Sequence, residues 1–238
     1  MDRRVPDIDG LRPYRPIKKW MINTIYINMR RLLFVMLVAF AALQSWGQTK
    51  LTPQQQNQIL EKIEKSSAAT TSMQCDFTQT KRMKLLKKEM SSKGVMYFKK
   101  DNKLRWQYTS PYDYIFILNG DKVRLKSAKS TKDIDVQKNK MFRQITGIIL
   151  NSITGGGLKK TSDFQVELYK SDKGYFAKLY PKKKELKQIY QTIEIYFNPT
   201  LTMVESVVMM EKTGDSTVVK LSGVKTNVPI NEKMFSTN

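Results

Sequence analysis

Histidine is absent from this chain, and cysteine occurs once, at Cys75. Those two facts close off most covalent chemistry. Without imidazole there is no His general base, no Ser-His-Asp or Cys-His arrangement, and no His-ligated zinc. A single cysteine makes neither an intrachain disulfide nor a Cys-rich metal centre. Asp/Glu pairs could still run glycoside hydrolysis, but no pair stands out by type or spacing. The residues therefore point to a protein that is not an enzyme and uses no metal and no cofactor. What remains is non-covalent: apolar side chains that could bury a ligand, and an excess of cations that could meet an anionic one. Lys and Arg number 42 against 21 Asp and Glu, a formal charge of +21. Such a balance fits nucleic acid, an anionic membrane surface, an acidic partner, or a merely solvated basic face. Lys182-Lys183-Lys184, with Lys187, reads either as a solvated turn or as a patch for anionic headgroups.

The compartment is written near the start. Met29-Arg30-Arg31 is a short positive stretch, Leu32 to Leu43 is an uninterrupted apolar run, and Ser45-Trp46-Gly47 places small residues before Gln48. This is the pattern of a secretory signal peptide. A run of 12 is too short for a comfortable span, which needs ~20 residues. The expectation is that residues 1–47, an upstream extension plus signal peptide, are removed and that 48–238 forms one domain. Eight Lys/Arg and three Asp/Glu lie in 1–47, so the remainder keeps an excess of +16. A secretory leader argues against nucleic acid, and no RRM-, KH- or zinc-finger-like pattern appears.

The elements follow from periodicity. Thr52-Pro53 with Gln55 is a helix start, and Ile59, Leu60 and Ile63 share a face, predicting a helix over about 53–67. Met73, Cys75 and Phe77 then alternate with polar residues, the repeat of a half-buried strand. Strands are also expected over Gly94–Phe98, Lys103–Tyr108, Tyr112–Leu118 and Val123–Ser127. Asn119-Gly120 is a hairpin turn. Met141, Phe142, Ile145, Ile148, Ile149 and Ile153 have helical spacing, interrupted by Gly147 and ended by Gly155-Gly156-Gly157. They predict a short helical insertion, either continuous or broken at Gly147. Strands resume over Phe164–Tyr169, Tyr175–Tyr180, Ile189–Phe197, Met203–Met210 and Val218–Val224. The expected fold class is mainly β (α+β), a curved antiparallel sheet of ten or eleven strands with a few helices.

In this order and spacing the chain resembles the LolA family of periplasmic lipoprotein carriers over nearly all of 50–235. The landmarks are Phe77-Thr78-Gln79, Leu104-Arg105-Trp106-Gln107-Tyr108 before Pro111, Asn119-Gly120, Leu179-Tyr180-Pro181-Lys182 and Phe235. The resemblance implies a half-open β-barrel whose hydrophobic cavity lies under a lid of short helices. It also implies a periplasmic monomer. Its partners would be acylated lipoproteins as cargo, an inner-membrane ABC-type lipoprotein-releasing complex, an outer-membrane receptor where one exists, and a transient membrane surface.

The resemblance places Leu104 and Trp106 on a cavity-lining strand, although as residues they fit ordinary core equally well. Phe77, Phe116 and Leu118 complete the candidate cavity set. Phe116 and Leu118 alternate with Ile115 and Ile117, so either pair could face a ligand. Met141, Phe142, Ile145, Ile148 and Ile149 are the candidate lid, with a plain amphipathic helix as the simpler reading. Lys100 falls where the family has an Arg that latches the lid, with Arg105 nearby. An ammonium lacks the planar fork of guanidinium, so the latch is expected to be weaker or different. The rival reading is a related lipid-binding or lipoprotein-sensing module with another lipid.

Overall fold

A computed structural model describes residues 48–237 apart from Lys160. For Lys140, Met141, Phe142, Gln144 and Ile145 it describes the backbone alone. The expected extension and signal peptide, 1–47, lie outside the described residues. From Gln48 onward the chain forms one compact unit.

Among the described residues twelve strands form one antiparallel sheet. In chain order they are β1 (Thr49–Lys50), β2 (Ser72–Met83), β3 (Lys88–Lys99), β4 (Lys103–Ser110), β5 (Tyr114–Asn119), β6 (Lys122–Ser127), β7 (Thr131–Asp135), β8 (Phe164–Ser171), β9 (Gly174–Pro181), β10 (Tyr190–Phe197), β11 (Val204–Glu211) and β12 (Ser216–Thr226). Their spatial order is β1-β8-β9-β10-β11-β12-β2-β3-β4-β5-β6-β7. Almost every neighbour is a hairpin partner in sequence. The exceptions are β12 beside β2 and β1 beside β8, which join the two halves of the chain. Among the described residues no pairing closes β1 onto β7, so the barrel is half open.

Among the described residues three α-helices accompany the sheet. α1 (Pro53–Ala69) starts with a full capping box: the Gln55 N–H donates to the Thr52 hydroxyl, and the Thr52 N–H donates to the Gln55 side chain at 3.0 Å. Each bond satisfies an amide that the first turn leaves without a partner. α2 spans Lys140–Thr154 and α3 spans Lys184–Ile189. A 3₁₀ turn at Glu232–Phe235 buries Phe235 completely.

The structure departs from the sequence expectation in three places. There are twelve strands, because β1 and β7 carry almost no apolar alternation. The β2–β3 hairpin is longer than its apolar pattern, running to Met83 and starting again at Lys88. α2 runs continuously through Gly147, the continuous one of the two readings that the sequence leaves open. Lys184 and Lys187 lie in α3, and Lys183 is paired with Asp163 at 2.5 Å, so the basic run is partly folded and neutralised.

Alternation sends one side of every strand to the concave face. There, α1 packs through Leu60 and Ile63 on β8–β11, against Leu168, Ala177, Ile193 and Ile195. A second cluster on β2–β6 gathers Met73, Cys75, Phe77, Met96, Leu104, Leu118 and Val123, with Ile153 of α2 above it. Cys75 is 3% exposed, and burial pushes its thiol up to about 12. It is a small hydrophobe of the core, as its alternation predicts.

Candidate functional site: an apolar cavity under α2

The two core clusters do not fill the concave face. Between them lies a cavity of about 300 Å³. Leu104, Trp106 and Tyr108 of β4 and Tyr114 and Phe116 of β5 form one wall. Val207 and Met209 of β11 and Val219 and Leu221 of β12 form the other, and Gln79 of β2 lies between. Strands β4 and β11 are separated by β12, β2 and β3 in the sheet, so only strong curvature lets both line one space. α2 roofs it with Ile148, Ile149, Ser152 and Ile153.

Register explains the walls. Trp106 faces Phe116 and Leu104 faces Leu118 across β4–β5, while Val207 faces Val219 across β11–β12. These are same-face pairs, the unit from which a sheet builds a continuous apolar surface. The end of the cavity toward Gln79 is polar. The Tyr108 hydroxyl donates to Gln79 Oε1 at 2.9 Å, and burial raises the Tyr108 pKa, keeping it a neutral donor. Two residues beyond Gln79 on the same face, Lys81 pairs with Glu211 at 3.1 Å. Tyr190 lies on the cavity wall, its pKa raised by burial and by Glu211.

The glycines after α2 set the roof. Gly155 has φ +70°, a left-handed turn that favours glycine, and its N–H returns to the Asn151 carbonyl. A Cβ there would lie 2.6 Å from the Phe197 ring and 3.2 Å from Ile63. Glycine therefore lets the end of α2 descend onto α1 and the sheet.

Leu104, Trp106 and Phe116 are on the cavity wall, and Ile148 and Ile149 are in its roof. The side chains of Met141, Phe142 and Ile145 lie outside the described ones, although their backbone belongs to α2. Phe77 and Leu118 are corrections. Phe77 is 1% exposed and packs behind the wall, 4.2 Å from the Trp106 ring and edge-on to Tyr108. Leu118, 2% exposed, is packed in the core beside Leu104.

The two candidate latch residues lie apart. Lys100 sits in the β3–β4 turn, and its ammonium donates to the Ala68 carbonyl in the last turn of α1, not to α2. Pairing of Ser72 with Lys99 brings that turn to the end of α1. Arg105 alternates away from Leu104 and Trp106, so it faces the other side of the sheet. It donates to Gln107 and to the Met234 carbonyl at 3.3 Å. The walls from β11 and β12, and Gln79, Tyr108, Ser152 and Ile153, were missed. Gln79 and Tyr108 continue the two-residue repeats of Phe77 and Trp106, a signal present in the sequence. Nothing local in Val207 or Leu221 shows that they face Trp106.

A family model described as outer membrane lipoprotein carrier protein LolA matches residues 68–238. An outer-membrane lipoprotein carrier protein of Methylococcus capsulatus is 24% identical over 194 residues, 80% of this chain and 86% of that one. One of Legionella pneumophila is 25% identical over 215 residues, 88% and 95% of the two chains. A solved LolA superfamily protein of Nitrosomonas europaea is 12% identical and covers 76% of this chain and 97% of its own. Its TM-score is 0.42. With the family model running from the end of α1 to the last residue, over a half-open antiparallel barrel roofed by a helix, this chain belongs to the LolA family.

Proposed function

We propose that this protein is a periplasmic carrier, exported by the leader in 1–47, that holds acyl chains of lipoproteins under α2. It ferries them from an inner-membrane ABC-type releasing complex to the outer membrane. The supporting observation is the apolar cavity between the concave sheet and α2. One chain of about 16 carbons costs on the order of 12 kcal/mol to expose to water. Aromatic and aliphatic walls with a few polar groups at one end are the lining that removes such a cost. A cavity of ~150 Å³ accepts benzene, so twice that volume holds roughly a dozen carbons. One chain of about 16 carbons already exceeds that volume, so loading requires α2 to move outward, with Ile148, Ile149 and Ile153 exchanging sheet contacts for lipid contacts. The role is binding and release, with no bond made or broken.

The test is native mass spectrometry of the protein taken from the periplasm of its own host. The expected passengers are acylated lipoproteins or their N-terminal acyl-peptides. A phospholipid alone would overturn the cargo assignment and leave a module for another lipid. An empty protein that also fails to draw lipoproteins from inner-membrane vesicles would overturn the carrier reading. Ile149→Ser, in the roof, is expected to weaken a fluorescent fatty-acid probe about ten-fold by loss of apolar burial. An unchanged affinity would remove α2 from the site.

A further inference from the structure

Among the described residues the most exposed large apolar side chains are adjacent: Leu85 is 92% exposed and Leu86 67%. They are the two central residues of the turn that joins β2 to β3, closed by the Lys87 N–H on the Lys84 carbonyl at 3.3 Å. Central turn positions favour Gly, Pro, Asn, Asp and Ser, each for a backbone reason that leucine does not share. A local choice that opposes the fold and gains no burial points to function. The tip is firmly presented. Strands β2 and β3 pair up to Met83 opposite Lys88, and the Lys84 N–H donates to Asp215 Oδ1 at 3.0 Å in the β11–β12 turn. Pairing with β4 stops at Lys93, so the hairpin extends past that strand.

Cations flank the leucines on both strands: Lys81, Arg82, Lys84, Lys87 and Lys88. Arg82 is taken by Glu89 at 2.6 Å and Lys81 by Glu211. No ion pair to Lys84, Lys87 or Lys88 is present among the described residues. An apolar tip with basic flanks on a convex turn suits an interface of acyl chains and phosphates, which asks for no complementary shape.

We propose that the β2–β3 hairpin tip docks on an anionic bilayer surface, with Leu85 and Leu86 entering the interface and Lys84, Lys87 and Lys88 meeting lipid phosphates. This deepens the carrier reading, since β2 also carries Gln79 on the cavity wall. Leu85 lies about 20 Å along the strand from Gln79, at ~3.3 Å per residue. Docking therefore turns the polar end of the cavity toward the membrane. The docking itself requires no cargo.

The test places an environment-sensitive fluorophore on Leu86→Cys in the full chain. Cys75 does not compete for label, being 3% exposed. The expected result is a blue shift with phosphatidylglycerol–phosphatidylcholine vesicles, diminished by salt and small with phosphatidylcholine alone. Cosedimentation should weaken on the order of 100-fold in the triple variant Lys84→Glu, Lys87→Glu, Lys88→Glu, at roughly five-fold per cation. It should weaken at least ten-fold in Leu85→Ser, Leu86→Ser. No shift with either vesicle overturns the proposal. So does an equal, salt-insensitive shift with both, or a shift that grows with protein concentration without vesicles, which would mark a contact between copies. All variants should bind the fatty-acid probe as the parent does. Loss of probe binding in the parent would sink the carrier reading and leave docking standing.

Discussion

Phe77 and Gly94 face each other across β2 and β3, and their partnership shapes the cavity from behind. A Cβ at Gly94 would lie 2.0 Å from the Gln107 carbonyl oxygen and 2.5 Å from the Phe77 ring. Backbone cannot give way as a flexible side chain can. Gly94→Ala is therefore expected to destabilise the protein by about 1–3 kcal/mol or more, read as a lower urea midpoint at unchanged slope. An unchanged midpoint would mean that β4 shifts freely at the irregular register between Lys93 and Gly94. Phe77 is buried on the same face of the sheet as the cavity wall. Its alternation places it on the concave face, but wall and backing share that face. Only the ring contact with Trp106 separates them.

At the scale of elements, α2 was legible because its isoleucines repeat with helical spacing. Gly147 left open whether it is broken. In the structure the helix runs through, because burying Ile148, Ile149 and Ile153 outweighs a glycine penalty of ~1 kcal/mol. A Cβ at Gly147 would meet nothing within 4 Å. Gly147→Ala should therefore stabilise the protein by up to ~1 kcal/mol, raising Tm by about 2–4 °C in a scanning calorimeter. A fall in Tm would show that residue 147 needs more freedom than a regular helix grants. The β2–β3 extension and β7 were illegible for a shared reason. Both are mostly exposed, Ile134 of β7 excepted, so their side chains show little apolar alternation.

Over the whole molecule, the C-terminal turn is tied to the β3–β4 hairpin by charge and by one buried ring. Glu232 pairs with Lys103 at 2.8 Å and with Lys99, and Phe235 is fully buried. Lys103 and Lys99 hold the Glu232 carboxyl down at about 2. A depressed folded pKa contributes stability above the ordinary carboxylate range, near 4.5, and that contribution disappears as pH falls toward about 2. Parent and Glu232→Gln should therefore differ in chemical-denaturation midpoint at pH 6 and converge near pH 2. The gap should shrink in high salt, since the carboxylate is exposed. A constant gap would mean that packing, not charge, separates them. The sequence alone determined the strand-rich class, the capped first helix, the core fate of Cys75 and a family resemblance, because each is written in local period or in order along the chain. Tertiary structure decided which concave residues line the cavity and that Lys100 holds α1. The first depends on β12 pairing with β2 and on the curl of the sheet, which bring residues more than a hundred positions apart, such as Trp106 and Val207, around one space; the second depends on Ser72 pairing with Lys99, which carries the β3–β4 turn to the end of α1.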